Sequence, residues 1–398
     1  MPWRRLGRIA AASIVALVLI GGAVAWRETA TPARIAWEPA ALQGLPAERA
    51  RDLVLQQEEP GVVWASQGYS IYRSRDGAAF EKVFTVVPRF GEAWAGFSRT
   101  LRSRFGYQEL VEVVPVRQDL LVAFAGGDVY RVDLAHGTQE RTHRLRYFGR
   151  GEGRGLMPHG VTRDARGTLY YGEYVTAPGR ESRPIGIWRS EDEGRTWTLV
   201  FEFPPGAVRH VHAVQWDPVQ GGVWVGTGDG DSESRVGFSL DQARSFRWVG
   251  EGSQELRVCS FLFLPAAVLW GMDADRSPNH ALRWLRDAQR VEAIPGSNLP
   301  GPTYYAQRVR PSGGILGLAE LDAALFWLPA EGVPTKLVQW TMPTPRRPGP
   351  HPAVRLARGE PSSPSFVDVN PLRTAQDEAA IYRIPTERVL EHVGAARD

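Results

Sequence analysis

The stretch RSEDEGRTWTLV, residues 189–200, places small polar residues, a glycine and an aromatic residue at fixed positions within one short frame. Ser190 and Asp192 can hydrogen-bond the N–H groups of a tight turn, and Asp and Gly are residues that such turns favour. Trp197 can pack back beneath the turn. The frame therefore predicts a hydrogen-bonded turn between two adjacent β-strands.

The same frame recurs elsewhere in the chain. RSRDGAAF, residues 73–80, is one residue shorter, and FSLDQARSF, residues 238–246, keeps the spacing with weaker residue types. Each copy has a strand-like segment before and after it. Strand-turn-strand units of this kind recur at a spacing typical of propeller blades. They start near Val62, Leu120, Thr168, Gly222, Ala267, Gly314 and Ser365.

The copy at residues 190–197 resembles the Asp-box or BNR repeat, S-x-D-x-G-x-T-W, of sialidase-like β-propellers. The resemblance implies an all-β fold, a propeller of seven or alternatively six four-stranded blades, with each such turn joining the third strand to the outermost one. Composition agrees, because 42 Gly and 30 Pro in 398 residues indicate many turns. We assign residues 61–398 to the propeller and 27–60 to a linker. The repeat marks a fold and not an activity.

The N-terminus predicts export. Arg4, Arg5 and Arg8 precede an apolar run over residues 9–26, and residues 23–25 are typical of a signal peptidase site. Residues 1–26 are therefore either an uncleaved anchor helix, which we favour, or a signal peptide that is cleaved to give a secreted protein. The flanking arginines place the propeller in the periplasm or outside the cell, tethered to the membrane.

Charge and cysteine content indicate how the fold is stabilised and which binding partners are not expected. Cys259 is the single cysteine, so the fold depends on its core and not on intrachain disulfides. The net charge of +3 comes from the N-terminal arginines, and no nucleic-acid partner is expected. We expect a monomer. Only Lys82 and Lys336 are lysines among 47 basic residues, so an isolated arginine is weak evidence of recognition.

Blade topology predicts where ligands bind. In an antiparallel blade, the turn between the first two strands shares a face with the turn between the last two. The blade-entry loop and the loop between the second and third strands then lie on the opposite face, close to the axis. This rule brings His159, residues 173–183, His210, His212 and the loop from Asp229 onward to that face.

A rim of arginines and aromatic residues suits an acidic polysaccharide, because guanidinium groups pair with carboxylates and aromatic faces stack on sugar rings. The candidate catalytic residues are His159, His212, Tyr174 and Glu173. The candidate substrate-binding residues are His210, Arg154, Arg183, Asp229, Asp231 and, in the long connection 86–109, Trp94 and Tyr107.

We expect no cofactor and assign no metal ligand. The GDGDSES loop has the form of a Ca²⁺ loop, but Gly and Asp also form ordinary turns, and calcium is therefore the alternative. A transition ion at His159, His210 and His212 would require all three side chains to point at one spot.

Three activities remain open on this face. A polysaccharide lyase would use Arg154 or Arg183 to neutralise a uronate, His159 or His212 as the base, and Tyr174. A sialidase-like glycoside hydrolase would use Glu173 with Tyr174 as its nucleophile pair, although the Arg-Ile-Pro of that family occurs here only at residues 383–385, near the C-terminal end. A non-catalytic binding module or assembly platform needs only the lined face.

Overall fold

The computed structural model describes residues 31–89, 111–149, 152–176, 179, 183–274, 278–343 and 351–394. The apolar helix expected within residues 1–26 lies outside the described residues, as do Trp94 and Tyr107. Among the residues that are described, no helix is long and apolar enough to cross a membrane.

Almost all regular structure in the described ranges is β-strand. The first strands are β1 (Arg34–Ile35), β2 (Glu38–Leu42), β3 (Leu45–Ala50), β4 (Val54–Glu59), β5 (Val62–Gln67), β6 (Ser70–Arg75), β7 (Phe80–Thr85), β8 (Val111–Arg117), β9 (Leu120–Ala125), β10 (Asp128–Asp133), β11 (Thr138–Arg144), β12 (Phe148–Gly149), β13 (Gly153–Arg154), β14 (Val161–Arg163), β15 (Leu169–Gly172), β16 (Ile185–Ser190) and β17 (Thr198–Phe203). They are followed by β18 (His210–Asp217), β19 (Gly222–Gly228), β20 (Arg235–Ser239), β21 (Arg247–Glu251), β22 (Leu262–Phe263), β23 (Ala267–Gly271), β24 (Asn279–Leu285), β25 (Arg290–Leu299), β26 (Thr303–Arg310), β27 (Gly313–Leu318), β28 (Ala323–Pro329), β29 (Thr335–Trp340), β30 (Ala353–Arg355), β31 (Arg358–Gly359), β32 (Phe366–Leu372), β33 (Ile381–Pro385) and the helix α1 (Thr386–Val393).

These strands form a seven-bladed β-propeller of antiparallel sheets. From the innermost strand outward, blades one to six are β4–β7, β8–β11, β14–β17, β18–β21, β22–β25 and β26–β29. Blade seven runs β30, β32, β33, β3 and β2, so its outer strands come from the N-terminal part of the chain. Large aromatic side chains, including Trp64, Trp224 and Trp270, are fully buried in the blades.

Seven blades, and not six, are therefore confirmed. The predicted units coincide with the second strand of each blade: β5, β9, β19 and β23 begin at the predicted residues, and β15, β27 and β32 begin within one residue of them. Each predicted unit therefore begins at the second strand of its blade. The innermost strand comes before the strand-turn-strand pattern from which the units were predicted.

The described part of the expected linker, residues 31–60, contains strands instead. β3 pairs with β33, with Glu48 opposite Arg383, and thereby closes the ring by joining the two ends of the chain. β4 is the innermost strand of blade one. In β3 only the first and last residues, Leu45 and Ala50, are buried, and a strand with so few buried positions gives a weak apolar pattern in the sequence.

The turn between β16 and β17 has the predicted hydrogen bonds. Ser190 Oγ accepts from Gly194 N at 2.9 Å and donates to Asp192 Oδ1 at 2.9 Å. Asp192 also accepts from Thr196 N at 2.9 Å and Thr196 Oγ1 at 2.7 Å. Residues 239–245 form the same network between β20 and β21. The turns thus lie between the third and fourth strands, which fixes the identity of the opposite face.

Candidate functional site: a histidine–aspartate cluster

The face opposite the serine–aspartate turns is called the entry face below. Its loops converge near the axis, as the topology predicts. His210 begins β18 and Asp229 directly follows β19 in blade four. Tyr174 follows β15 in blade three, and Asp273 follows β23 in blade five. Three neighbouring blades therefore supply ionisable groups to one place.

Three ligand-type atoms meet in this cluster. His210 Nε2 lies 2.8 Å from His212 Nε2. Asp229 Oδ1 lies 3.2 Å from His210 Nε2 and 3.1 Å from His212 Nε2. The two imidazoles lie side by side, with ring centres 4.7 Å apart, although the register between β18 and β19 shifts at His212. Both histidines are buried, whereas Asp229 is partly exposed to solvent.

The outer nitrogen of each imidazole faces an oxygen. His210 Nδ1 lies 2.7 Å from the Val175 carbonyl oxygen, which only accepts, so this nitrogen carries a proton. Nε2, which faces the cluster, is therefore the His210 nitrogen that can bind a metal ion. His212 Nδ1 lies 3.4 Å from Asp273 Oδ2. Carbonyl and carboxylate partners on the outer nitrogen are characteristic of histidines that bind metal ions.

The protonation states keep the cluster rich in lone pairs. Burial lowers the pKa of His212 to about 4, so its ring is neutral near pH 7. Burial alone would raise the pKa of Asp229, but hydrogen bonds with His210 and His212 lower it below the usual range. A neutral His212 ring thus faces the Asp229 carboxylate, and a cation between them would stabilise the arrangement.

The geometry fits a transition ion. Metal bonds of about 2.0–2.2 Å at roughly right angles separate neighbouring ligand atoms by about 3 Å, as in this cluster. Two imidazole nitrogens and one carboxylate oxygen suit a divalent first-row transition ion, whereas calcium prefers oxygen ligands. The third ligand is therefore Asp229, and not His159 as in the metal hypothesis drawn from the sequence. Asp231, in the loop for which calcium was the alternative, accepts a hydrogen bond from Gln254 Nε2 at 2.9 Å.

Charged groups surround the cluster. Arg257 lies between two carboxylates, with Nε 3.1 Å from Asp273 Oδ2 and Nη2 3.3 Å from Asp229 Oδ1. Arg209 forms a second ion pair with Asp229. Burial raises the pKa of Asp273 to about 7, while the nearby Arg257 opposes the shift. Cys259 is buried, as expected, and donates to Asp273 Oδ2 at 3.1 Å.

Tyr174 covers one side of the cluster. Its ring stacks on His210 with 4.0 Å between the ring centres. Burial and the charge of Asp229 raise the pKa of Tyr174 well above its usual value, so its hydroxyl remains a proton donor at neutral pH. Tyr174 N donates to the Gly155 carbonyl oxygen at 2.9 Å. This bond places Arg154, the residue before Gly155, next to Tyr174 in the chain pairing. Arg154 Nη2 lies 3.5 Å from Glu112 Oε1.

His159 lies near the axis but points away from the cluster. Its Nδ1 is 2.8 Å from Ser260 Oγ and its Nε2 is 3.4 Å from the Leu356 carbonyl oxygen. Its ring packs edge-on against Tyr305. Burial, together with the charges of Arg358 and Arg355, lowers the pKa of His159 to about 3. Both nitrogens therefore have protein partners, and the geometry indicates a structural role.

His159→Gln should make the free energy of unfolding depend less on pH between about pH 6.5 and pH 3. Between pH 6.5 and pH 3 the unfolded chain binds a proton at residue 159 and the folded chain does not, so unfolding becomes easier as pH falls. In the parent protein this effect lowers the free energy of unfolding by at most about 4–5 kcal/mol at pH 3. Urea unfolding across this pH range measures it. The exposed His136→Gln is the matched control, and equal slopes for all three proteins would contradict the prediction.

Two other predicted residues lie apart from the cluster. Glu173 is buried, and its carboxylate accepts from Arg146 at 2.6 and 2.8 Å, from Gly186 N at 2.7 Å and from Trp188 Nε1 at 2.8 Å. Its two oxygens are fully used, so a nucleophile pair with Tyr174 is not formed. Arg183 pairs with Glu152.

Several entry-face residues were missed by the sequence reasoning. Asp273, Arg257, Tyr304 and Glu320 lie in blades five and six, and Tyr304 donates to Glu320. The loop rule that locates Asp229 also locates Asp273, because GMDADRSPN, residues 271–279, follows the second strand of blade five.

Comparison with known proteins supports the fold. No protein-family model matches the sequence, and no curated protein matches it. Among solved structures, an oligogalacturonate lyase from Vibrio parahaemolyticus is similar over 88% of this chain and 96% of its own, with 9% identity and a TM-score of 0.56. An oligogalacturonate lyase in complex with manganese covers 89% and 98%, with 10% identity and a TM-score of 0.54. YCF48 bound to a D1 peptide covers 88% and 95%, with 11% identity and a TM-score of 0.52. At these identities the similarity shows a shared propeller fold.

Proposed function

We propose that the entry face binds an acidic, uronate-containing oligosaccharide at a divalent metal ion and cleaves it by β-elimination. The observation that carries the proposal is the convergence of His210 Nε2, His212 Nε2 and Asp229 Oδ1 within 2.8–3.2 Å. Their outer partners are already of the kind that orients metal ligands. Two propellers of similar fold are lyases of acidic oligosaccharides by name, and one of them is described with manganese.

The residues divide the work by their chemistry. His210, His212 and Asp229 would hold the ion, which when bound supplies positive charge to a uronate carboxylate and makes the adjacent carbon-bound proton more acidic. Arg154 would add a second positive charge beside Tyr174. Solvent water, which reaches the cluster at the partly exposed Asp229, would accept that carbon-bound proton as the carbon–oxygen bond to the leaving sugar breaks. The Tyr174 hydroxyl, which stays protonated, would donate its proton to the oxygen of the leaving sugar and regain one from the water. Arg257 would hold Asp229 and Asp273 in position.

The two other activities have less support. A sialidase-like hydrolase needs its nucleophile pair, and the buried hydrogen bonds of Glu173 keep that carboxylate away from Tyr174's face of the cluster. A non-catalytic binding module remains consistent with the fold, and YCF48 shows that a similar propeller is named for binding a peptide. Turnover separates a lyase from a module.

The decisive experiment combines metal binding with turnover. The metal-free protein is titrated with Mn²⁺, Zn²⁺ and Ca²⁺, and each form is then incubated with polygalacturonate and alginate fragments. We expect one transition ion to bind at a single site and an ultraviolet absorbance from unsaturated sugar products to appear only with that ion. Metal binding without any product would leave a binding module, and the absence of any bound ion would overturn the proposal.

Two finer assignments rest on sequence and are also proposals. The turns at residues 190–197 and 239–246, with the shorter one at 74–80, are inferred to be copies of the Asp-box repeat, supported by their shared hydrogen bonds. Residues 1–26 are inferred to export the chain and anchor it to the membrane, supported by the arginines and the apolar run. Membrane fractionation before and after deletion of residues 1–26 tests the second.

A further inference from the structure

The first described residues lie at the entry side of blade one. Thr31 Oγ1 is 2.8 Å from Ser70 Oγ, which in turn is 2.9 Å from Thr85 Oγ1. Ser70 begins β6 and Thr85 ends β7, and the two residues are opposite each other in the sheet. Because the loop between the second and third strands opens on the entry face, these strand ends belong to that side of the blade. The chain therefore enters the propeller from the entry side.

Further contacts hold the entering segment in this place. The Tyr72 hydroxyl donates to the Pro32 carbonyl oxygen at 2.7 Å, and Lys82 Nζ donates to the Thr31 carbonyl oxygen at 3.0 Å. β1 then pairs with the outside of β7, the fourth strand of the blade. Thr31 is thus fixed to the outer rim of blade one, and it cannot move to the turn side without breaking these contacts.

Only a short stretch of sequence separates this rim from the apolar run at the N-terminus. The run ends at residue 26, so five residues, 27–31, lead from it to Thr31. An extended chain covers at most about 3.6 Å per residue, which limits the separation to roughly 18 Å. With residues 9–26 in the membrane, as proposed above, the entry side of blade one lies within that distance of the end of the anchor.

A cluster of arginines, called the arginine patch below, lies on the same side of the neighbouring blade. Asp128 begins β10 at its entry end. Its carboxylate oxygens lie 2.9 Å from Arg89 Nε, 3.4 Å from Arg144 Nη1 and 3.9 Å from Arg141 Nη1. The Asp128 side chain is 0% exposed, whereas the three arginine side chains are 40–49% exposed. Three positive charges and one negative charge give these four residues a net charge of +2.

The arginine patch adjoins the rim that holds Thr31. Val87 follows Thr85 by two residues, and Gln139 of β11 in blade two bonds to both its N–H group and its carbonyl oxygen at 2.9 Å. The Val87 residue is 69% exposed, so an apolar side chain lies between the rim and the arginines. Exposed apolar residues together with basic ones are characteristic of surfaces that lie on anionic lipid.

We propose that the arginine patch and the rim around Thr31 rest on the anionic headgroups of the membrane that holds residues 9–26. This inference rests on the proposed anchor. Each guanidinium group near an anionic lipid surface strengthens attachment about fivefold. The short connection keeps the patch close to that surface and so raises its effective concentration there. The histidine–aspartate cluster, which opens on the same face, is then turned toward the membrane.

Energy transfer in lipid nanodiscs tests this orientation on the full chain. Ser232 and Leu240 are exposed and flank β20 in blade four, one on the entry side and one on the turn side. Fluorophores on Ser232→Cys and Leu240→Cys therefore report the two faces at one blade. Cys259 is buried, and the unsubstituted protein gives the labelling background. With acceptor-labelled headgroups and about one-third phosphatidylglycerol, transfer from position 232 should exceed transfer from position 240.

Arg89→Gln combined with Arg141→Gln should shift the equilibrium between the membrane-bound and free orientations about 30-fold toward the free one, and the difference between the labels should shrink. Arg195→Gln is the matched control, because Arg195 is an exposed arginine on the turn side. Raising the ionic strength from about 0.1 to 1 M shortens the screening length from about 10 to 3 Å. Salt should therefore have the same effect on the unsubstituted patch, which covers the case of a double variant that does not fold.

The outcomes separate this inference from the others. A chain that leaves the nanodiscs overturns the anchor and this orientation with it. A chain that stays, with equal transfer from both labels or more from position 240, overturns the orientation alone. A difference that neither salt nor pure phosphatidylcholine reduces overturns the role of the arginine patch. Sugar turnover is not part of the readout, so the result does not depend on the proposed lyase activity.

Discussion

His212→Ala should abolish both metal binding and turnover at the entry face. The substitution removes one of three ligand atoms and also the link from the cluster to Asp273. Loss of an outer partner alone typically weakens metal binding by 10- to 100-fold, and loss of a ligand should exceed that, roughly 100-fold or more. Titration with Mn²⁺ and the absorbance of unsaturated products measure the two effects.

His136→Ala is the matched control, because His136 is exposed and lies in the turn after β10, remote from the entry face. His212→Gln preserves more of the buried volume and guards against a merely unfolded variant. Asp273→Asn should have an intermediate effect, between 10- and 100-fold on metal affinity, since it retains size but weakens the outer partner. Unchanged metal affinity in His212→Ala would show that these three atoms do not form the site.

The local parts of the site could be read from the sequence. Two histidines separated by one residue lie on the same side of a regular strand, and a loop after the second strand reaches the same face. In β18 the two rings meet even though the register shifts at His212. These two rules located His210, His212 and Asp229 without any coordinates. They work because both depend on backbone geometry within a single blade.

The orientation of His159 could not be read in this way. Its partners Ser260 and Leu356 are 101 and 197 residues away along the chain, and only the closed ring brings them together. Glu173 is a similar case, because Arg146 precedes it by 27 residues and belongs to the preceding blade connection. Blade topology predicts the face on which a residue lies. It does not predict which neighbouring groups its side chain will contact.

Ring closure is the part of the fold that depends most on distant contacts. Arg383 on β33 lies beside the N-terminal strand β3 and forms two hydrogen bonds with buried Asp368, of 3.1 and 3.2 Å. The guanidinium also stacks on Trp37, 4.1 Å from the ring centre. The side chains of Arg383 and Asp368 are only 4% and 1% exposed. The sequences of β3 and β33 do not indicate that these two strands pair with each other.

Arg383→Met should destabilise the propeller by about 3–5 kcal/mol, because it leaves the carboxylate of Asp368 buried without its counter-charge. Stability is measured as the free energy of unfolding in urea at pH 7. Arg388→Met is the matched control: Arg388 forms an exposed pair with Glu391 at 2.9 Å, and its loss should cost no more than about 0.5 kcal/mol. Adding Asp368→Asn to Arg383→Met should recover part of the loss, since the amide carries no buried charge. Equal costs for Arg383→Met and Arg388→Met would mean that the ring is closed by strand pairing and packing, with no contribution from the buried ion pair.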